Sequence, residues 1–187
     1  MARYVLGDGG HGRLISAVTG AKCLGINDLV PPDVELFIGV GDLTTRITLF
    51  KQYESRVIGI IDESALFAGN VTTGVGLQLL TRAVVICGTK FGANVLVNTG
   101  AQLDHDCRIG NHCIIAPRAT LCGEVTLGDA CVVGAGSIIL QGVTLDANTF
   151  VPAGTLVVGP DDFRRPQSVV RSNRAYSIEE GAWAVMD

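Results

Sequence analysis

Asp104-His105-Asp106 is the triplet in this chain best suited to moving protons. An imidazole with a reference pKa of about 6.5 can both take and give a proton near neutrality. A neighbouring carboxylate can fix its tautomer and stabilise the imidazolium, so the triplet points to general acid–base chemistry. A second feature lies near the start, in Gly7-Asp-Gly-Gly-His-Gly12. Its Gly7-x-Gly9-x-x-Gly12 spacing suits a turn that presents a helix N-terminus to a phosphate. No acidic residue closes a normal-length second strand, so this is not a full dinucleotide fingerprint, and a tight turn needing glycine for geometry reads the same way. His11, His105 and His112 do not share a spacing that would hold zinc, and no metal is expected.

The elements that must position these residues begin with composition. Of 187 residues 24 are Gly and only 17% are charged, which argues against a helical bundle. With 48% hydrophobic residues and a net charge of −4, disorder is excluded. The 14 Lys+Arg against 18 Asp+Glu leave no basic excess for nucleic acid. No apolar run approaches the roughly 20 residues of a membrane span. The N-terminus has no signal-peptide pattern, so a cytoplasmic location and reduced cysteines are expected.

A repeat of six dominates the second half. Stepping by six from Ile61 to Val157, every position except Thr73 is apolar. Four residues after each comes a second column, Ala65 to Thr155, in which no residue is charged and nearly all are small. Cys107, Cys113 and Cys131 fall in this column, where Cys serves as a small apolar residue. One large and one small inward position suit a narrow prism. Gly follows the large position at Gly92, Gly110, Gly128 and Gly134, where turn freedom is the expected reason. The period fits neither an amphipathic helix nor a simple hairpin sandwich, but it fits a β-helix of short strands and turns.

Residues 1–60 lack the hexad. Strands are expected at Arg3–Leu6, Lys22–Ile26, Val34–Val40 and Arg56–Ile60, and helices from Arg13 to about Thr19 and from Leu43 to about Tyr53, with Asp42 as the cap of the second. Strands alternating with helices imply a small parallel sheet.

The runs Leu127-Gly-Asp-Ala-Cys-Val and Val133-Gly-Ala-Gly-Ser-Ile resemble the hexapeptide repeat of left-handed β-helix acyltransferases. The resemblance implies three hexads, or about 18 residues, per coil of a triangular prism. Together, Gly-Gly-His-Gly, Gly41-Asp42 with Arg46, and Asp104-His105-Asp106 are similar to one subgroup, the bacterial acetyltransferases of nucleotide-linked amino sugars and of sialic acid. The implied architecture is a small α/β Rossmann-like domain at 1–60 and a left-handed parallel β-helix at 61–160; the C-terminal tail at 161–187 departs from the family, and covering a prism end or a partner subunit suits it because solenoids need caps.

The same resemblance implies the chemistry. His105 would be the general base in acetyl transfer from acetyl-CoA to an amine, with Asp106 on its ring. Gly123, stacked one coil beyond His105, would donate its N–H to the oxyanion. Gly10, His11 and Gly12 would lie beside the sugar's nucleotide diphosphate, with Asp28, Asp42 and Arg46 lining that cleft and Asn98 near the sugar. CoA would run between subunits of a homotrimer, its pantetheine on the backbone amides of Ala135, Gly136, Ala153 and Gly154. Cys87, one coil before His105, could form a nucleophilic Cys–His pair, but direct transfer does not require it. O-acetylation of sialic acid and a non-catalytic scaffold are the alternatives.

Overall fold

The computed structural model describes residues 1–164, 175–179 and 182–186. The chain opens with β1 (Arg3–Leu6), α1 (Gly10–Thr19), β2 (Lys22–Leu24), β3 (Glu35–Ile38) and α2 (Leu43–Tyr53). The three strands form a parallel sheet in the order β2-β1-β3, with Tyr4 opposite both Lys22 and Leu36. Helix α1 starts three residues earlier than its sequence pattern suggests. Gly9, in extended conformation, is its N-cap, and its carbonyl accepts from Arg13 N at 2.9 Å. Gly10, His11 and Gly12 are therefore the first turn of the helix rather than a loop before it. Gly12 is required by close approach, because a Cβ there would strike the Gly7 carbonyl. Asp42 caps α2 as expected, accepting from Thr45 N at 2.8 Å.

Arg56–Ile60 is not the strand expected of it. Glu54–Arg56 closes a single 3-10 turn, and Val57 makes one isolated bridge to Leu36, with Ile58 N donating to Leu36 O at 2.9 Å. The run is spent crossing from the edge of β3 to the prism, whose first strand is Ile60–Ile61.

From there two-residue strands alternate with tight corners. Leu103 pairs with Leu121, Ile109 with Leu127 and Ile115 with Val133, so the coil is 18 residues long. Three parallel sheets result, one per side of the prism. The first face carries Gln78–Leu79, Leu96–Val97, Ile114–Ile115 and Val132–Val133; the second carries Val84–Val85, Gln102–Leu103, Thr120–Leu121 and Ile138–Ile139; the third carries Lys90–Phe91, Arg108–Ile109, Thr126–Leu127 and Thr144–Leu145. Every large hexad residue from Leu79 to Val157 is buried, and the small column beside it is buried from Leu77 to Val143. Leu121→Ala should therefore destabilise the fold by about 2–5 kcal/mol, whereas Thr144→Ala on the exposed outside should shift it by less than about 0.5 kcal/mol; denaturant titration of both checks the assignment.

The corner glycines have a different reason from the one expected. Gly92, Gly110, Gly128 and Gly134 do not adopt positive φ; a Cβ at any of them would press into the backbone of the next coil. The left-handed residue of each corner comes two positions later, and Asn94, Asp106, His112, Arg118 and Glu124 all fill it at φ between 56° and 62°.

The N-terminal sheet and helices sit on the outside of the first face, where Leu96, Ile114 and Val132 join Val5, Ile15 and Phe37 in one apolar cluster. At the other end the second face continues past the expected boundary at 160. Leu156–Gly159 pairs antiparallel with Asp162–Arg164, and Phe163 packs against the prism core. Ala175–Glu179 and Ala182–Met186 form an antiparallel pair, and the rest of the expected tail lies outside the described residues.

Candidate active site

Each coil contributes one corner between the second and third faces, and the 18-residue register stacks these corners. Cys87, His105 and Gly123 follow one another there, with Asp106 N donating to Cys87 O at 3.0 Å and Glu124 N to His105 O at 2.8 Å. Asp106 takes the left-handed position at φ 59°, which turns its carboxylate back toward the ring. Its Oδ2 lies 3.0 Å from His105 Nδ1. The other flanking carboxylate, Asp104, accepts the His105 backbone N–H at 2.8 Å. The hydrogen bond to Asp106, with the charges of Asp104 and Glu124 behind it, raises the imidazole above its ordinary pKa.

With Nδ1 held by Asp106, the other ring nitrogen is free for a reacting proton. It lies directly over Gly123, where a Cβ would stand 2.5 Å from Nε2. Only glycine leaves room there, so base and Gly123 backbone share one small space. An amide N–H beside an imidazole is what acyl transfer needs: a proton acceptor next to a donor for the developing oxyanion.

A second polar cluster forms where α1 and α2 meet the first face. Arg46 is fully buried, and its Nη1 donates to Ile38 O at 3.1 Å, Val40 O at 3.3 Å and Gln78 Oε1 at 3.3 Å. Its Nε and Nη2 are buried with no hydrogen-bond partner among the described residues. Burial pulls the guanidinium down to about 9, still charged at neutral pH. His11 Nε2 lies 3.1 Å from the same Gln78 Oε1, and burial, then Arg46, lowers its pKa to about 4. Helix α1 has no acidic residue in its first turn and no side-chain cap, so its N-terminal N–H groups remain available. A buried cation behind an uncapped helix N-terminus is an environment for an anion.

The remaining sequence candidates divide. Asp28 closes its own loop by accepting from Gly25 N at 2.8 Å, and Asn98 accepts from Thr99 N at 2.8 Å. Ala135, Gly136, Ala153 and Gly154 stack at the corner between the first and second faces. The N–H groups of Gly136 and Gly154 are already committed to Pro117 O at 3.0 Å and Ala135 O at 2.9 Å. The register that builds the corner uses these two N–H groups. Gln78 escaped the sequence reading because its hexad position normally faces solvent. Asn94 escaped likewise; it is buried, with Nδ2 3.0 Å from His112 Nδ1, and His112 packs edge-on against Phe50 at 5.5 Å.

The topology also separates the two clusters. The α1 turn and Arg46 sit over the first face, and His105 sits on the corner opposite that face. One chain therefore cannot bring both to one small ligand. A cleft of about 620 Å³ beside Arg3, Phe37 and Asp62 does not reach His105, whose side chain is 40% exposed on an open corner.

Residues 88–123 match the model of the bacterial transferase hexapeptide family (six repeats). The acetyltransferase domain of PglB from Neisseria gonorrhoeae FA1090 has a TM-score of 0.78 at 23% identity, covering 89% of this chain and 93% of its own. PerB from Caulobacter crescentus, solved in complex with CoA and GDP-perosamine, has a TM-score of 0.78 at 25% identity, covering 85% and 89%. WeeI from Acinetobacter baumannii AYE has a TM-score of 0.66 at 21% identity, covering 88% and 99%. No helix of the described residues is long and apolar enough to cross a membrane.

Proposed function

We propose that this hexapeptide-repeat acyltransferase moves an acetyl group from acetyl-CoA to the amine of a nucleotide-linked amino sugar. The observation that carries the reading is the His105 corner: Asp106 on Nδ1, Nε2 over Gly123, and an open approach. The amine nitrogen attacks the thioester carbonyl while His105 Nε2 takes its proton. The Gly123 N–H steadies the tetrahedral oxyanion, the C–S bond breaks, and the imidazolium returns its proton to the CoA thiolate. The products are the N-acetyl sugar and CoA. The CoA and GDP-perosamine bound by the Caulobacter neighbour support this pairing of donor and acceptor.

In this reading residues 1–60 form a Rossmann-like unit for the nucleotide sugar and 61–160 a left-handed prism for the transfer. The first turn of α1, backed by Arg46, receives the diphosphate. Because that turn and His105 lie on opposite sides of one prism, the site joins His105 of one copy to the turn of another, as in a homotrimer. Pantetheine would use the Ala135 and Ala153 N–H groups, which donate to no other described residue. The test is thiol release from acetyl-CoA over a panel of nucleotide amino sugars, with free sialic acid included. Turnover of an amino sugar is expected; turnover of sialic acid alone would replace the reading with O-acetylation, and none at all would leave a scaffold.

The base must be neutral to act, and its pKa is raised, so activity should climb with pH through an apparent pKa above 6.5. Asp106→Asn removes the largest cause of that rise and should move the limb to lower pH while reducing the maximum; a kcat–pH profile checks both. Gly10→Glu adds a carboxylate where a Cβ meets open space. An acid in the first helical turn suits α1 by about 0.3–1 kcal/mol, so folding should persist while the KM for the sugar nucleotide rises by about 30-fold or more, since the new charge repels the diphosphate.

A further inference from the structure

The outward residues of the three faces differ in kind. Those of the first face, Leu96, Ile114 and Val132 among them, are covered by the N-terminal unit. Those of the second run Leu66, Val84, Gln102, Thr120, Ile138 and Leu156, two apolar pairs on either side of a polar centre, with Leu66 and Ile138 exposed. The third face presents Lys90, Arg108, Thr126 and Thr144, with no apolar side chain among them. Lys90 and Arg108 are both exposed and pair in register, so two cations stand on neighbouring strands about 4.8 Å apart. Like charges directly opposite each other destabilise a sheet.

Carboxylates are close by, yet none relieves this pair. Asp104 Oδ1 accepts the His105 N–H, Asp106 Oδ2 is on the His105 ring, and Glu124 Oε1 accepts from Gln141 Nε2 at 3.2 Å. Neither Lys90 nor Arg108 forms an ion pair among the described residues. In a chain of net charge −4, two uncompensated cations side by side on a face with no apolar outward residue are conspicuous. They also stand beside the reacting corner: Arg108 is three positions after His105, a backbone span of at most about 11 Å.

We infer that Lys90 and Arg108 clamp an oxyanion of the acceptor, holding the sugar against His105 from the third face. The inference rests on the acetyl-transfer reading for its location, but the chemistry it assigns is separate: the acceptor bears a negatively charged oxygen group within reach of its acetylated position. That group is either the diphosphate or a carboxylate on the sugar ring. A planar guanidinium above an ammonium suits either one, because Arg grips two oxygens and Lys adds a point charge.

The test compares the full-length protein with Lys90→Ala/Arg108→Ala, each in the Gly10→Glu background that silences the α1 turn. Inorganic pyrophosphate and N-acetylneuraminate are titrated into both at low salt. Removing the pair should weaken at least one probe by about 10-fold or more. Weakened pyrophosphate assigns the clamp to the diphosphate, and weakened N-acetylneuraminate to a ring carboxylate. Unchanged affinity for both, or no binding of either before substitution, overturns the inference. Lost affinity for CoA in its place would move the pair to the donor, and an altered oligomeric state would give it to a partner's carboxylate; each also overturns it. Because the titration needs no turnover, its result is independent of whether thiol release occurs with any acceptor.

Discussion

His105→Ala is expected to lower turnover by about 100-fold or more while leaving the melting temperature and acetyl-CoA binding nearly unchanged. The size follows from the corner's chemistry. An amine that attacks a thioester must lose its proton, and without the imidazole only water is left to take it. The fold is spared because His105 is a corner residue whose ring, among the described residues, hydrogen-bonds only to Asp106, while its backbone bond to Glu124 N is retained by any residue. Steady-state kinetics with thermal melts separate the two. Near-normal kcat with normal CoA binding would remove His105 from the chemistry.

Gly123→Ala is the second large effect, and it works by crowding. The added methyl would stand 2.5 Å from His105 Nε2 and 2.6 Å from Cε1. Either the ring swings off Asp106 or the coil shifts, and both spoil the alignment of base, amine and oxyanion donor. Loss of a single oxyanion donor alone costs about 100- to 1000-fold in kcat. A fall of that order is expected, with KM for acetyl-CoA raised as well, since the methyl fills the space of the thioester. Gly142→Ala, at a corner where a Cβ meets open space, is the matched control for a glycine-to-alanine change in the prism. Its φ of 72° makes it mildly strained, so some loss of stability should accompany near-normal kcat.

Much of this site is legible in the sequence because a solenoid is nearly one-dimensional. Once the hexad is seen, Leu103 and Leu121 must be neighbours, and with them His105 and Gly123. The same regularity hides what depends on the N-terminal unit. Gln78, Leu96, Ile114 and Val132 all occupy the outward position, and nothing local marks the first face as the covered one. The signal is there at longer range: outward apolar residues recur every 18 positions from Leu96 to Phe150, while the third face has Lys90, Arg108 and Thr126 in the equivalent places. The sequence marks Arg46 only by its place after Gly41-Asp42; its burial against Gln78, 32 residues away, is a contact that only tertiary packing creates. The start of α1 was misplaced for a simpler reason. Glycines weaken a helix interior, but Gly12 is demanded by its approach to Gly7, and that requirement outweighs propensity.

If acetyl transfer occurs where His105 of one copy meets the α1 turn of another, chains crippled at different halves of the site should complement each other. Co-expressing the His105→Ala and Gly10→Glu chains and measuring thiol release from acetyl-CoA at low acceptor concentration decides this. Each variant alone should be nearly inactive. In mixed oligomers about one junction in four unites an intact His105 with an intact turn, so the mixture should recover about a quarter of the unsubstituted activity. Activity no greater than that of the two variants measured separately would contradict a shared site.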